Sequence, residues 1–211
     1  MQRTNEWHEQ RKGKFTASKA DNLLGKLTLK MTTQKIENYA MQKACEDFFG
    51  LSEEEEFISF DMQRGIELEP LAFDKLKSEL ALQFIEVEQV GYIPIDENSG
   101  ASPDGKCSNG DNIEIKCPKI ETFNKLVLTD EIDSKYFAQM QMQMLATNAQ
   151  KTHFFNYVIH NGVEYSYRIE VLRCEETISL LQDRIKYAAE IKNEFLKTLN
   201  WQNIINNAKN N

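Results

Sequence analysis

Residues 101–118 read ASPDGKCSNGDNIEIKCP, and the rest of the chain can be interpreted around this stretch. The segment NGDN at 109–112 favours a tight turn, so two short strands are expected to meet there as an antiparallel pair. The first strand lies within 101–107. The second strand covers 113–117, where apolar and polar side chains alternate, and Pro118 ends it because proline lacks the N–H that a sheet ladder needs.

Two charged side chains of the second strand are expected to point to the same side of the sheet, with a third charged residue on the neighbouring strand. Residues two apart in a strand face the same way, so Glu114 and Lys116 project together, and Asp104 can lie beside Glu114. Two carboxylates with converging oxygens suit a hard cation such as Mg²⁺. A bound metal activates water and polarises a phosphoryl oxygen, while a lysine orients the water or stabilises the transition state. The pattern therefore indicates metal-dependent phosphodiester hydrolysis.

The same residues also have a purely structural interpretation. Glu114 and Lys116 can form a solvated ion pair on an exposed face of the sheet, while Asp104 shapes a Pro-Asp-Gly turn. On an apolar strand, however, one acid and one base are costly unless they are paired or used. At this level both interpretations remain open.

Polar residues in three other segments favour the catalytic interpretation. Glu69 lies near the start of a predicted helix and is a candidate to complete the metal shell, although acids favour the first turn of any helix. Gln139 shares a helix face with Tyr136, one turn away. Arg11 and Ser18, at a predicted helix start, combine a guanidinium fork, a hydroxyl and free backbone N–H groups, which together suit a phosphate.

Periodicity and turn signals predict the remaining elements. Helices are expected at about 16–25 (with a glycine stop), 32–50, 62–82, 134–147 and 175–201. Strands are expected within 84–95 and in a hairpin of 153–159 with 163–171, and an acidic loop at 53–56. This order predicts an α/β or α+β fold with a central mixed β-sheet flanked by helices.

The length of 211 residues predicts a single domain with its own core. Its expected parts are a helical, basic segment at 1–50, a catalytic core at 60–175 and a C-terminal helix at 175–211. No apolar run approaches the roughly eighteen residues that a membrane-spanning helix needs. The first residues also lack the apolar core of a signal peptide, so a cytoplasmic location is expected.

Charge is distributed unevenly along the chain, which carries −8 in total. The first 35 residues hold eight basic and three acidic side chains, so that segment carries +5 and the remainder −13. A basic lobe on an acidic body suits a protein that holds phosphates on one surface, although a solvated lysine-rich helix gives the same pattern. The four cysteines form no C-x-x-C pair, which argues against a zinc ribbon or an iron–sulfur cluster and favours free thiols.

Five sequence blocks together resemble the lambda exonuclease family, also called YqaJ-like viral recombinases, within the PD-(D/E)-x-K nuclease superfamily. The blocks follow the order of the family and lie at 7–18, 65–70 (GIELEP), 101–105 (ASPDG), 114–118 (EIKCP) and 136–141 (YFAQMQ). The resemblance implies a restriction-endonuclease-like nuclease core. It also implies a Mg²⁺-dependent 5′→3′ exonuclease on linear double-stranded DNA, which leaves 3′ single strands for phage-type recombination by strand annealing.

The resemblance further implies a role for each candidate residue. The metal, Mg²⁺ with Mn²⁺ as a substitute, is held by Asp104, Glu114 and the carbonyl of Ile115. The catalytic set contains these two carboxylates with Lys116, supported by Glu69 and Gln139. The terminal 5′-phosphate is held by Arg11, Ser18 and Ser102. Met62 falls where the family places an apolar wedge that parts the end base pair.

Partners and alternatives complete the hypothesis. The resemblance implies that the protein binds double-stranded DNA ends, works with a single-strand annealing protein and forms a ring-shaped homotrimer around the duplex, without a membrane. One alternative is a structure- or sequence-specific endonuclease of the same superfamily, because a metal site does not choose between end-dependent and internal cleavage. The other is a non-catalytic DNA-end-binding protein.

Overall fold

Seven α-helices and eight short or medium strands make up the part of the chain that the computed structural model describes, residues 4–24, 29–50 and 59–209. The helices are α1 (Asn5–Arg11), α2 (Asp21–Leu24), α3 (Leu29–Phe49), α4 (Phe60–Ala81), α5 (Ile120–Thr129), α6 (Ser134–Thr147) and α7 (Glu175–Lys209). The strands are β1 (Phe15–Thr16), β2 (Val87–Glu88), β3 (Ile93–Pro94), β4 (Ser99–Ala101), β5 (Gly105–Cys107), β6 (Asn112–Lys116), β7 (Lys151–His160) and β8 (Val163–Leu172). A 3₁₀ turn, Ala17–Lys19, follows β1.

The strands form two mixed sheets. The larger has the order β2-β5-β6-β7-β8, in which β6 and β7 are parallel and the other neighbours are antiparallel. The smaller has the order β1-β4-β3, with β1 parallel to β4. The predicted mixed sheet flanked by helices is thus confirmed, but the single strand predicted within 101–107 is wrong. It is two strands, β4 and β5, which pair in different sheets.

Helices cover both faces of the larger sheet. On one face, α4 packs Phe73 and Leu76 against Ile113 and Ile115 of β6. On the other face lies α6, whose Met140 joins Phe154 of β7 in a second apolar cluster. A third cluster connects α6 with α3 and α7. Burial of these apolar side chains is the main stabilising contribution, and it leaves the α6-facing side of β6 for polar residues.

Several local predictions hold and others are corrected. The β7–β8 hairpin turns at Asn161 and Gly162, both with positive φ, as its turn sequence predicts. The expected helix at 16–25 is instead β1, the 3₁₀ turn and α2. α5 is not predicted from the sequence, and α6 is capped by Asp133, whose side chain accepts from the N–H of Lys135 at 2.9 Å. The glycine stop at 25 and the acidic loop at 53–56 lie outside the described residues.

Two general features are found within the described ranges. No helix there is both long enough and apolar enough to cross a membrane. All four cysteines are free thiols. The division into a basic segment, a core and a C-terminal helix stays a prediction, although β1 of the first part pairs with β4 of the second.

Candidate active site

Asp104 lies where the chain crosses from β4 to β5, beside β6. The backbone N–H of Ile115 donates to Asp104 Oδ2 at 2.7 Å, and the N–H of Asp104 donates to the carbonyl of Ile113 at 3.0 Å. The pairing of β5 with β6 therefore fixes both the backbone and the carboxylate of this residue. The sequence placed Asp104 beside Glu114, and the structure brings the two carboxylates into one site.

Glu114 is 1% exposed, and its carboxylate is held by three side chains. Lys116 Nζ lies 2.5 Å from Oε1, to which Gln139 Nε2 also donates at 2.6 Å. Gln143 Nε2 donates to Oε2 at 2.5 Å. The alternative of a solvated pair on an exposed sheet face is therefore wrong, because the carboxylate is buried between β6 and α6.

Electrostatic interactions in this site connect the acids to each other. Burial, and then the neighbouring Glu114 carboxylate, raise the pKa of Asp104 well above its ordinary value. Burial lowers the pKa of Lys116, but the carboxylates of Glu114 and Asp104 outweigh it and raise that pKa above its ordinary value. The neighbouring carboxylates therefore favour the charged ammonium form of Lys116. The excess of buried negative charge is the condition that a bound divalent cation relieves.

A cavity of about 440 Å³ opens beside these residues. Its wall includes Lys116 and Ile115 from β6, Tyr136 from α6, and Met62 and Glu69 from α4. Glu69 is also among the charges that raise the pKa of Asp104, so it lies close enough to act on the site. The structure thus places Glu69 near Asp104 and Met62 in the wall of the same cavity as Lys116, whereas the wedge role that the resemblance implies for Met62 stays a prediction.

The two carboxylates of the site supply oxygen atoms, the ligand type of a hard cation. Within the described ranges, no group of three or more His, Cys, Asp or Glu side chains is arranged to hold a metal ion. Asp104, Glu114 and Glu69 are therefore not arranged as a three-carboxylate shell, and the predicted third ligand, the carbonyl of Ile115, would supply a further oxygen, the atom that Mg²⁺ prefers. Cys117 also lines the cavity, but burial raises the pKa of its thiol to about 12, so it does not offer a thiolate.

A second polar set, the proposed end-phosphate residues, is assembled next to the first. Arg11 Nη2 donates to Ser18 Oγ at 3.2 Å, and the guanidinium carbon lies 4.1 Å from the centre of the Trp7 ring. Trp7 Nε1 in turn donates to Ser102 Oγ at 2.9 Å. Arg11, Ser18 and Ser102, which the family resemblance groups as phosphate ligands, are therefore connected through Trp7. Ser102 stands two residues before Asp104, so the two sets adjoin.

Two residues of the site are not predicted from the sequence. Gln143 is not among the candidate residues predicted from the sequence, although its position four residues after Gln139 places both on one face of α6. That spacing could have identified it. Trp7 is not among those candidates either, and nothing local in the sequence predicts its contact with Ser102, because the bond joins segments far apart in the chain.

Comparisons with known proteins show which family and which solved structures this chain is similar to. A model of the YqaJ-like viral recombinase domain matches residues 6–150. The structure is similar to an alkaline exonuclease (LHK-Exo) from Laribacter hongkongensis, with 29% sequence identity, a TM-score of 0.77 and coverage of 96% of this chain and 100% of that chain. The same relative in complex with dAMP gives a TM-score of 0.78 at the same identity and coverage.

A phage related exonuclease from Haemophilus somnus 129PT shares the fold. Its TM-score is 0.65 at 14% identity, over 88% of this chain and 96% of that chain. No protein of curated function matches the sequence. The likeness to LHK-Exo confirms the predicted restriction-endonuclease-like nuclease core.

Proposed function

The chain belongs to the YqaJ-like viral recombinase family, and from this premise we propose that it is a Mg²⁺-dependent 5′→3′ exonuclease on linear double-stranded DNA. Family membership and the likeness to LHK-Exo support a recombination exonuclease. Its product is a 3′ single-stranded overhang that serves recombination by strand annealing. The dAMP bound by LHK-Exo supports a deoxynucleoside monophosphate as the released product.

One observation carries the proposal: the buried acid–lysine site and the end-phosphate residues adjoin in the loop between β4 and β5. Ser102 belongs to the end-phosphate set through Trp7, and Asp104 belongs to the acid–lysine site through the N–H of Ile115. An enzyme that binds a terminal 5′-phosphate beside its hydrolytic site cleaves at ends. An endonuclease has no need for this arrangement.

Different residues of the site have different roles in the proposed reaction. Asp104, Glu114 and the carbonyl of Ile115 would hold the cation, which when bound lowers the pKa of a water and polarises the phosphoryl oxygen. Lys116, kept charged by the neighbouring carboxylates, stabilises negative charge that develops on the scissile phosphate. The amides of Gln139 and Gln143 orient the Glu114 carboxylate, one on each oxygen.

The proposal extends to the partners of the protein. Double-stranded DNA ends are the substrate, a homotrimeric ring encloses the duplex, and a single-strand annealing protein receives the overhang. Family membership supports these partners, and the charge difference between the first 35 residues and the rest supports a DNA-facing basic surface on an acidic body.

The decisive experiment measures nucleotide release from a linear duplex with 5′-phosphates, in Mg²⁺ and in chelator, beside a covalently closed circle. We expect metal-dependent loss of the linear DNA alone, with Mn²⁺ replacing Mg²⁺, and no release by the Asp104→Ala variant. A label on each end in turn gives the polarity. Cutting of the circle would favour the endonuclease, and binding without cleavage of either substrate would favour a non-catalytic end-binding protein.

A further inference from the structure

We propose that a buried charged network between α3 and α7 positions the end-phosphate residues, so that the C-terminal helix sets the preference for a 5′-phosphorylated end. We call this network the Gly13 clamp; it consists of Lys43, Glu46 and Asp47 of α3 and Lys192 of α7, arranged around Gly13. The inference rests on the proposed function. It assigns a positioning role to α7, which lies beyond the residues 6–150 matched by the family model.

Both peptide groups of Gly13 are held by buried charges. Its N–H donates to Glu46 Oε2 at 3.2 Å, and its carbonyl accepts from Lys192 Nζ at 2.7 Å. Lys43 Nζ donates to the two oxygens of Glu46 at 3.0 and 2.9 Å. Lys192 also lies 2.5 Å from Asp47 Oδ2. The loop is therefore fixed from two helices that are far apart in the sequence.

The clamp requires a glycine at this position. Gly13 has φ +65°, a conformation that other residues adopt only at a cost. A Cβ built on it would lie 1.7 Å from Asp47 Oδ1, so any side chain there must displace the carboxylate that pairs with Lys192. The backbone conformation and the ion pair are thus mutually dependent.

Burial makes the clamp costly to build. Lys43 is fully buried, and Lys192 and Glu46 are 3% and 5% exposed. Buried ion pairs often add no net stability compared with apolar residues of similar size, so stability alone is a weak reason for this arrangement. The clamp lies next to Arg11 in the chain, so its position supports a second role, which is to fix the geometry of the end-phosphate residues.

The loop held by the clamp lies between Arg11 and Ser18 in the sequence and therefore connects these two residues. Gly13 follows Arg11 by two residues, and the N–H of Lys14 donates to the carbonyl of Arg11 at 3.0 Å. On the other side of the loop, the N–H of Thr16 donates to Tyr39 Oη of α3 at 3.0 Å. A shift of Gly13 would therefore move the guanidinium relative to Ser18, whereas Glu114, Lys116 and Gln139 of the acid–lysine site are carried by other elements, β6 and α6.

A merely structural clamp and a positioning clamp differ in one measurable quantity. Loss of a structural contact lowers the melting temperature and leaves the ratio of rates on 5′-phosphorylated and 5′-hydroxyl ends unchanged. Loss of a positioning contact raises KM for the phosphorylated end, leaves kcat near its original value and lowers that ratio.

The test compares Lys192→Met and Gly13→Ala with wild type, with Arg11→Ala as the reference for a lost phosphate ligand. Lys197→Met is the matched control, because Lys197 is also on α7 and is paired with Glu194, but is 73% exposed. We expect KM for the phosphorylated end to rise about tenfold in both clamp variants. This is the lower end of the 10- to roughly 100-fold effect that follows the loss of a residue that orients a binding residue. The 5′-hydroxyl substrate and the control should be unchanged.

Binding of the two duplexes under non-cleaving conditions gives the same comparison without catalysis. Failure of the proposed function would appear as no nucleotide release by wild type, whereas the clamp is judged on the ratio of the two affinities. An unchanged ratio in the folded clamp variants, or no phosphate preference in wild type, would overturn the inference. If Lys192→Met does not fold, Gly13→Ala serves as the deciding variant, because it adds one Cβ and displaces one carboxylate while every charged residue of the clamp stays in place.

Discussion

Trp7 Nε1 donates a 2.9 Å hydrogen bond to Ser102 Oγ across 95 positions of the sequence. The same indole lies under the Arg11 guanidinium, which in turn donates to Ser18. One aromatic side chain therefore joins the N-terminal segment to the loop that carries Asp104. In the proposed enzyme, this contact determines the distance between the bound end and the bond that is cleaved.

Replacing Trp7 with phenylalanine should weaken end selection without removing it. The ring under Arg11 stays, but Ser102 loses its N–H donor, a contact worth about 1 kcal/mol. We expect the ratio of nucleotide release from 5′-phosphorylated and 5′-hydroxyl duplexes to fall about fivefold, as 1 kcal/mol implies. Trp201→Phe, at the other tryptophan of the chain and 62% exposed, is the matched control. An unaltered ratio would show that the indole N–H has no part in end binding.

Lys116→Ala should abolish cleavage and preserve binding. The charged ammonium acts on charge that develops in the transition state, whereas the end-phosphate residues remain. We expect kcat to fall at least about 100-fold, the range for one lost electrostatic donor. Equilibrium binding to a 5′-phosphorylated duplex should stay within about twofold. Lys186→Ala, at an exposed lysine of α7, is the control, and normal turnover by Lys116→Ala would remove this residue from the mechanism.

Gln143→Leu tests a supporting contact that the sequence did not indicate. The amide donates to Glu114 Oε2 at 2.5 Å, and leucine leaves that buried oxygen without this donor. We expect activity, or affinity for the metal, to fall about 10- to 100-fold, as for other residues that orient metal ligands. Gln182→Leu, at an exposed glutamine of α7, is the control. Metal titration of both variants separates loss of cation affinity from loss of turnover.

His153 should make the fold sensitive to acid. It is 2% exposed, with Nε2 3.2 Å from Asp111 Oδ2, and burial lowers its pKa below the ordinary value of 6.5 despite that carboxylate. The folded protein therefore favours the neutral ring, while the unfolded chain titrates near 6.5. The stability that this difference contributes is complete above about pH 6.5 and is lost progressively as the pH falls from there through the lower pKa of the folded state.

The measurement for this prediction is the free energy of unfolding between about pH 7.5 and 5, in the range where histidine titrates. His153→Gln should lose less stability over that range than wild type, because glutamine has no proton to take up. His160→Gln, at an exposed residue beside the β7–β8 turn, should behave as wild type. Parallel curves for His153→Gln and wild type would contradict the assignment.

Local patterns in the amino-acid order were enough to predict the strand at 113–117, the turn after His160 and the residue types of the acid–lysine site. Strand alternation and turn chemistry depend on neighbours a few positions away, so these features are visible before folding. The family resemblance added the grouping of Arg11, Ser18 and Ser102, which lie together in the structure.

Other features depend on contacts between distant segments, and no local pattern encodes them. β4 and β5 read as one strand, yet each pairs with a different sheet. The burial of Glu114 follows from the packing of α6 on β6, and the role of Gln143 follows from that burial. Lys192 meets Gly13 across 179 positions. Side-chain chemistry is written in the sequence, whereas burial and long-range partners arise when helices and sheets pack, because that packing decides which polar groups lose water and which neighbours replace it.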